Sequence, residues 1–231
     1  MGTCCSPLVS IQGEEFLRQL LSSNALKIRQ FDYSELLNQL ISQSNTNNNK
    51  ISKYNIRNNI IPIIYDIENA GDYNIYYQSI FELILSQFDN EENNIYKVLF
   101  YFLPFIKYDK ENAYQYLFNC IKFMSKSNRL EIELNIINQS LLKYFTFCTK
   151  DITFCIYQKC PDNYELSVSL SSLINQIYSE SKIKKFNDKI INLLTGKDPV
   201  NLITKSRFQK MFQFYDISSI ENIRDFFLHD V

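Results

Sequence analysis

The stretch from Asp89 to Cys148 constrains the fold more than any other part of the chain. Its middle, Val98-Leu-Phe-Tyr-Phe-Leu-Pro-Phe-Ile106, has almost no polar face. A helix that is apolar all round must be covered on all sides, by other helices or by lipid. The run is about half of the ~20 apolar residues that a membrane span needs, and Lys97 and Lys107 bracket it. We therefore predict a core helix that the remaining helices cover.

Apolar residues recur at helical spacing through most of the sequence. Several of these runs follow a capping pattern, in which a side-chain acceptor precedes a Glu by three residues. The pairs are Asp32/Glu35, Asp89/Glu92, Asn128/Glu131, Asp162/Glu165 and Ser218/Glu221. Residues 150–160 also alternate like a strand, but a strand without a partner is unstable, which favours a helix there. The sequence predicts an all-α protein, either a multi-helix bundle or a short α-solenoid of about 9–11 helices.

The composition shifts divide the predicted fold into three parts. Residues 1–12 are expected to form a flexible, acylatable N-terminal segment, and residues 13–195 a helical core domain with an Asn-rich loop at 42–52. Residues 196–231 are expected to form a C-terminal helix pair packed on the core. Acidic pairs such as Glu14/Glu15 are interpreted as first-turn residues that complement a helix dipole.

Charge and glycine content exclude several classes of function. The net charge of −1 leaves no basic surplus to neutralise phosphates, so we predict no nucleic-acid partner. A phosphate-binding loop needs clustered glycines, whereas the four glycines here, Gly2, Gly13, Gly71 and Gly196, are scattered. No nucleotide-binding loop and no cofactor is therefore expected, and the sequence identifies no small-molecule substrate.

The cysteines and the single histidine do not form a reactive site in the sequence. The six cysteines occur without a secretory signal, which favours reduced thiols in the cytoplasm. Cys120 and Cys148 fall on apolar helical faces, where small core residues are expected. Cys155 and Cys160 form no CxxC pair with them, and His229 is the only histidine. We predict no metal site, no catalytic residues and no enzymatic activity.

The N-terminal hexapeptide is the sharpest functional signal. In Met1-Gly2-Thr3-Cys4-Cys5-Ser6, Gly2 and Ser6 fit the N-myristoylation pattern. One myristoyl chain binds membranes only marginally, with a constant on the order of 10⁴ M⁻¹, so a second signal is needed. The first thirteen residues contain no Lys or Arg, whereas Cys4 and Cys5 can carry palmitoyl groups. The terminus resembles those of dually acylated peripheral membrane proteins; Pro7 departs from that pattern, and an unmodified terminus is the alternative.

Two segments resemble the calcium-binding loop of an EF-hand. Asp66 to Gly71 has acidic residues at the first and third positions and Gly at the sixth. Gly196 to Arg207 has Ile203 as an apolar eighth position, with Phe208 after it. The twelfth position, which requires a bidentate Glu, is Tyr77 in one segment and Arg207 in the other. Neither segment is expected to bind Ca²⁺.

Three hypotheses on function remain from the sequence. The first is a non-catalytic helical scaffold or adaptor, held on the cytoplasmic face of a membrane by acylation at Gly2, Cys4 and Cys5, that acts through protein–protein contacts. The second is a soluble helical component of a cytoskeletal or particulate assembly, without lipid. The third is an enzyme of unfamiliar design with a carboxylate-only site, which the lack of glycine loops, of clustered His and Cys ligands and of a placed base disfavours. A degenerate EF-hand-like protein that binds no calcium is a further alternative. The Lys182, Lys184, Lys185 and Lys189 cluster suits contact with anionic headgroups, with a solvated helix face as the alternative.

Overall fold

A computed structural model describes residues 7–23, 25–44, 49–106, 110–125, 130–196 and 201–229, and only the backbone of residues 7–10, 110 and 111. The prediction of an all-α multi-helix bundle is confirmed. The helices are α1 Pro7–Ser22, α2 Tyr33–Ser42, α3 Lys53–Asn55, α4 Ile61–Ile64, α5 Asn74–Ser86, α6 Ile95–Phe102, α7 Lys110–Met124, α8 Leu134–Thr146, α9 Ile152–Tyr157, α10 Tyr164–Ser172, α11 Glu180–Thr195, α12 Lys205–Phe214 and α13 Ile220–His229.

Within these ranges, three π-helical turns extend or join the helices. They are Ile56–Ile60 between α3 and α4, Phe147–Asp151 between α8 and α9, and Leu173–Ile177 after α10. Short 3₁₀ turns cover Lys27–Gln30, Gly71–Tyr73 and Leu103–Phe105. Residues 150–157 are therefore helical, as predicted, because the π-helical turn carries α8 directly into α9.

Short strands pair across the bundle in two places. β1 Lys50–Ile51 lies antiparallel to β2 Asn93–Asn94, with Ile51 opposite Asn93. β3 Glu131–Glu133 lies antiparallel to β4 Leu202–Thr204, with Ile132 opposite Ile203. The Asn-rich loop thus ends in a strand, although residues 45–48 lie outside the described part. Residues 201–229 contribute β4, α12 and α13, and β4 is joined to the central region by its pairing with β3.

The core forms around α6, as predicted. Every residue from Val98 to Phe102 is at most 2% exposed, and the apolar residues after it through Ile106 stay at or below 5%. The rings of this helix contact the next helices: Phe100 lies 5.3 Å from Tyr144, and Tyr101 lies 5.0 Å from Phe147, between ring centroids. α2 and α7 also pack against α6, which must be covered because it has no face that water would solvate well.

Helix starts differ from the sequence-based expectations in several places. α1 begins at Pro7, so residues 7–12, expected in a flexible segment, are helical. Asp32 and Glu35 form the predicted capping box. The other capping predictions are wrong for the described residues. Glu92 directly precedes β2, and Glu131 lies in β3. The caps of α6, α10 and α13 are Asn94, Asn163 and Ser219. Strand pairing delays α6 and α8 beyond the positions that local pattern predicts.

Candidate functional site

The predicted lipidation residues Gly2, Cys4 and Cys5 lie outside the described residues, but the structure shows the segment directly after them. α1 begins at Pro7, next to the hexapeptide. Proline suits the first position of a helix because its fixed φ is already helical and its missing N–H has no partner there anyway. The acylation-type hexapeptide is therefore followed at once by a helix.

α1 packs closely on α10 at a glycine. The Gly13 backbone N–H donates to Ser169 Oγ at 2.7 Å. A Cβ atom on residue 13 would lie 2.7 Å from that oxygen and 3.2 Å from the backbone nitrogen of Leu170. Gly13 is thus required by the close approach of the two helices, which fixes the position of α1 on the bundle.

The next residue, Glu14, joins α1 to α13 through a buried ion pair. Arg224 Nη2 donates to Glu14 Oε2 at 2.8 Å, and Arg224 Nε donates to Oε1 at 3.0 Å. The side chains of Arg224 and Glu14 are 0% and 4% exposed. This two-pronged geometry is the strong form of an arginine–carboxylate interaction, and it links residues 210 positions apart in the chain.

The groups around the pair satisfy its remaining hydrogen-bonding capacity. Tyr178 donates its hydroxyl to Glu14 Oε2 at 2.7 Å, and the Tyr178 ring centroid lies 4.7 Å from the Arg224 guanidinium carbon. Arg224 also donates to the Cys148 carbonyl at 3.2 Å and to Thr153 Oγ1 at 3.1 Å. Cys148 lies in one π-helical turn and Tyr178 directly follows another, so these two irregular turns position partners for the pair.

The electrostatics of this Glu14–Arg224–Tyr178 network favour its charged form. Burial alone raises the pKa of Glu14, but the charge and hydrogen bonds of Arg224 and the Tyr178 hydroxyl outweigh burial, so the pKa lies below its ordinary value. Burial raises the pKa of Tyr178 well above its ordinary value. The interpretation of Glu14 as a first-turn residue that complements a helix dipole is therefore wrong, since Glu14 lies in the middle of α1 and is buried.

The network predicts a specific dependence of stability on pH. Because the pKa of Glu14 is lower in the folded state than its ordinary value of 4.5, its contribution to stability is present above that value and is lost as the pH falls through the folded-state pKa. The difference in unfolding free energy between wild type and Glu14→Gln should therefore be large at about pH 7 and smaller at about pH 3, measured by urea unfolding. Exposed Glu15→Gln is the matched control, expected to change stability by at most ~0.5 kcal/mol. A pH-independent difference for Glu14→Gln would contradict this assignment.

Ion pairs join α1 and the turn after it to α13. The pairs are Arg29–Glu221, Arg18–Asp225 and Glu14–Arg224. Phe227 of α13 packs in turn on Phe186 of α11, with ring centroids 4.9 Å apart. Lys184 and Lys185, which precede Phe186 in the chain, are exposed, so this part of the predicted basic cluster lies on the surface of α11.

The four short strands β1 to β4 belong to a repeated arrangement. Each strand follows one helix and precedes another. The helices before the strands are, in chain order, α2, α5, α7 and α11. The helices after them, α3, α6, α8 and α12, each begin two residues after a buried residue of the strand. In each pair of strands the buried residues lie opposite each other: Ile51 of β1 opposite Asn93 of β2, and Ile132 of β3 opposite Ile203 of β4. The described part of the chain therefore contains two strand-linked pairs of helix–strand–helix units.

Of the two segments that resemble EF-hand loops in sequence, the structure gives only the second the order of elements expected for an EF-hand. In the first, Asp66 accepts hydrogen bonds from the backbone of Glu68 and Asn69 and pairs with Lys27, and a 3₁₀ turn leads into α5 without a strand. That resemblance is wrong. In the second, α11, β4 and α12 have the expected order, and Ile203 and Phe208 are both buried.

Numbering the four units from their buried strand residue as position eight gives loops at 44–55, 86–97, 125–136 and 196–207. The twelfth positions are then Asn55, Lys97, Ile136 and Arg207, none of which offers the carboxylate that Ca²⁺ requires. The sixth position of the first loop is Asn49, whose φ of 50° is left-handed, the conformation for which EF-hand loops use Gly at this position. Sequence reasoning missed three of the four units because their loops have no acidic residue at the first, third, fifth or twelfth position, where such a loop carries its carboxylate ligands.

Arg207 makes a contact of its own across the last loop. Its Nη2 donates to the carbonyl of Thr195, the final residue of α11, at 2.8 Å. A cation at a helix C-terminus interacts favourably with the carbonyl groups that have no partner within the helix. The guanidinium thus links the end of α11 to the start of α12.

The Cys120 and Cys148 thiols occupy the surroundings that the sequence suggested for them. Cys120 and Cys148 are buried in the core, and burial raises the pKa of each thiol. Burial also raises the pKa of Cys155 to about 11. His229 is the last residue of α13. Within the described ranges, no group of three or more His, Cys, Asp or Glu side chains is placed to hold a metal ion.

Comparisons with known proteins identify no relative of this chain. No family model, no curated protein and no solved structure matches the chain. In the part of the chain that the structure covers, no helix is both long enough and apolar enough to cross a membrane.

Proposed function

We propose that this protein is a non-catalytic helical scaffold, tethered to the cytoplasmic face of a membrane by myristoylation at Gly2 and palmitoylation at Cys4 and Cys5, and acting through protein–protein contacts. The observation that carries the proposal is the direct run from the acylation-type hexapeptide into α1, which is fixed to the bundle by Gly13 and the Glu14–Arg224 pair. An anchor attached to such a helix holds the whole body near the membrane.

Membrane energetics support two acyl signals and a weak electrostatic contribution. A single myristoyl chain gives marginal binding, with a constant on the order of 10⁴ M⁻¹, and a second chain makes anchoring stable. Lys184 and Lys185 are exposed on α11. Each basic residue near an anionic surface contributes about 1 kcal/mol, which is a supplement to the acyl chains and not a substitute for them.

Intact-mass measurement of the native protein tests this proposal. We expect the mass increments of one myristoyl group and at least one palmitoyl group. Gly2→Ala should move the protein from the membrane to the soluble fraction, because palmitoylation depends on prior myristoylation, whereas Thr3→Ala, the matched control, should leave partitioning unchanged. A native protein with an unmodified amino terminus would contradict the proposal and favour the lipid-free component of a larger assembly.

A second candidate concerns the origin of the body. We infer that the chain is a degenerate EF-hand-like protein that binds no calcium. A helix, a twelve-residue loop and a second helix make an EF-hand, and the pairing of Ile132 with Ile203 favours this arrangement. In the last loop, the Arg207 guanidinium makes the link between the two helices that a metal ion would otherwise make.

Calcium titration tests the second candidate. Sensor EF-hands bind Ca²⁺ with constants of about 10⁻⁷–10⁻⁵ M. We expect calorimetry to show no binding in this range and the melting temperature to be the same with Ca²⁺ and with a chelator. Arg207→Ala should lower the free energy of unfolding by about 1–3 kcal/mol, equally in both conditions. A micromolar dissociation constant, or a melting temperature that rises with Ca²⁺, would show that the loops bind metal.

A further inference from the structure

A groove with apolar walls runs between α5 and α9 on the surface of the bundle. Its volume is about 530 Å³, within the range of about 300–1,000 Å³ that ligand sites occupy. Two large apolar side chains on its walls are exposed to solvent, Ile75 to 49% and Phe154 to 47%. The two helices run antiparallel here, since Tyr76 near the start of α5 contacts Cys160 just after α9, with 3.6 Å between the hydroxyl oxygen and the sulfur.

The two ends of the groove carry opposite charges. Asp151 lines one end, beside Glu82, which is paired with Arg57, and Lys159 lines the other end. Asp151 and Lys159 are eight residues apart along a mostly helical segment, which corresponds to about 12 Å at 1.5 Å per residue. A complementary helix would therefore carry its own opposite charges about two turns apart on one face.

Asp151 is the polar group that most needs a partner in this groove. Burial raises the pKa of its carboxyl, an effect that the nearby charges of Lys150 and Lys143 only partly offset, and the described residues form no hydrogen bond with it. The nearest lysines are engaged elsewhere: Lys150 pairs with Glu180 at 2.5 Å, and Lys143 lies over the Tyr101 ring at 5.4 Å from its centroid. A cation supplied from outside would compensate the partly desolvated Asp151 carboxylate.

We propose that the α5–α9 groove binds one amphipathic helix of a protein partner, with apolar side chains against Ile75 and Phe154, a Lys or Arg against Asp151, and an acidic residue against Lys159. The proposal rests on the scaffold function and names the surface and the partner chemistry through which it would act. Docking an amphipathic helix by its apolar face is an established mode of recognition, and the opposite charges at the two ends set the direction of the bound helix.

Selection from a displayed library of amphipathic helical peptides against the full chain tests the proposal. We expect the selected peptides to share a basic and an acidic residue seven or eight positions apart on the apolar face. Their affinity should fall about tenfold, or by about 1.4 kcal/mol, for Asp151→Asn and for Phe154→Ala. Asp188→Asn on α11 and Phe214→Ala on α12 are the matched controls, since both side chains are exposed outside the groove, and neither should change the affinity. Asp151→Lys should select an acidic residue at the position that was basic.

Three outcomes would overturn the proposal: no enriched peptide, enriched peptides without the charge pattern, or binding that is indifferent to Asp151 and Phe154. A concentration-dependent dimer that Phe154→Glu abolishes would assign the groove to a second copy of the chain and would overturn it as well. None of these outcomes affects the lipid anchor, which intact mass and membrane partitioning measure independently of the groove.

Discussion

Arg224→Met should lower the free energy of unfolding by about 3–5 kcal/mol, the cost of breaking a buried ion pair by removing one partner. The substitution leaves the Glu14 carboxylate, 4% exposed, without the Arg224 guanidinium. The Tyr178 hydroxyl at 2.7 Å and the more distant Arg18 Nε at 3.7 Å remain beside it. It also leaves the Cys148 carbonyl and the Thr153 hydroxyl without their arginine contacts. Urea unfolding followed by circular dichroism would measure the change, with the midpoint and slope compared between variants.

Two further variants separate loss of the pair from loss of an arginine. Arg57→Met removes an exposed ion pair with Glu82, whose side chains are 52% and 62% exposed, and should cost about 0–1 kcal/mol. The triple variant Glu14→Leu, Tyr178→Phe, Arg224→Met replaces the whole network by apolar groups and should be more stable than Arg224→Met alone, because no buried charge remains unpaired. If Arg224→Met were no more destabilising than Arg57→Met, the network would not hold α1 to α13.

Phe102→Ala should destabilise the bundle by about 3–5 kcal/mol, because it removes a large side chain from a filled core and leaves a cavity. Phe102 lies at the end of α6 and is 0% exposed. Phe214→Ala is the matched control, since the same chemical change at a side chain that is 68% exposed should cost about 0.5 kcal/mol or less. Equal costs for the two substitutions, measured by urea unfolding, would contradict the central position of α6.

The two stability predictions bear on the proposed tether in different ways. Loss of Phe102 weakens the bundle as a whole, whereas loss of Arg224 first weakens the attachment of α1 to α13. If the acyl chains hold the body through α1, an Arg224 variant should keep its lipid but show greater local opening around α1. Hydrogen exchange of backbone amides in α1 reports such opening, and it should increase more for Arg224→Met than for Phe102→Ala relative to the rest of the chain.

The local spacing of apolar residues was sufficient to predict the helices and the core segment. The spacing of apolar residues depends only on the 3.6-residue period, so α6 and the helix through residues 150–157 could be predicted without knowledge of their neighbours. The capping box at Asp32 and Glu35 is equally local, since both groups lie within one turn. The start of α6 was misplaced because Asn93 and Asn94 pair with β1, a contact that no window of sequence around Asp89 contains.

The sequence by itself determined an all-α bundle with a buried α6 and an acylation-type terminus, because these properties follow from periodicity and from a short motif. Only the tertiary structure decided that Glu14 is a buried partner of Arg224, that Ile132 faces Ile203, and that Asp151 lies in a groove where no described residue donates to it. Each of these depends on residues far apart in the chain, as far as 210 positions for Glu14 and Arg224. The physical reason is that burial and pairing are properties of the surroundings of a side chain, and those surroundings exist only once the helices have packed.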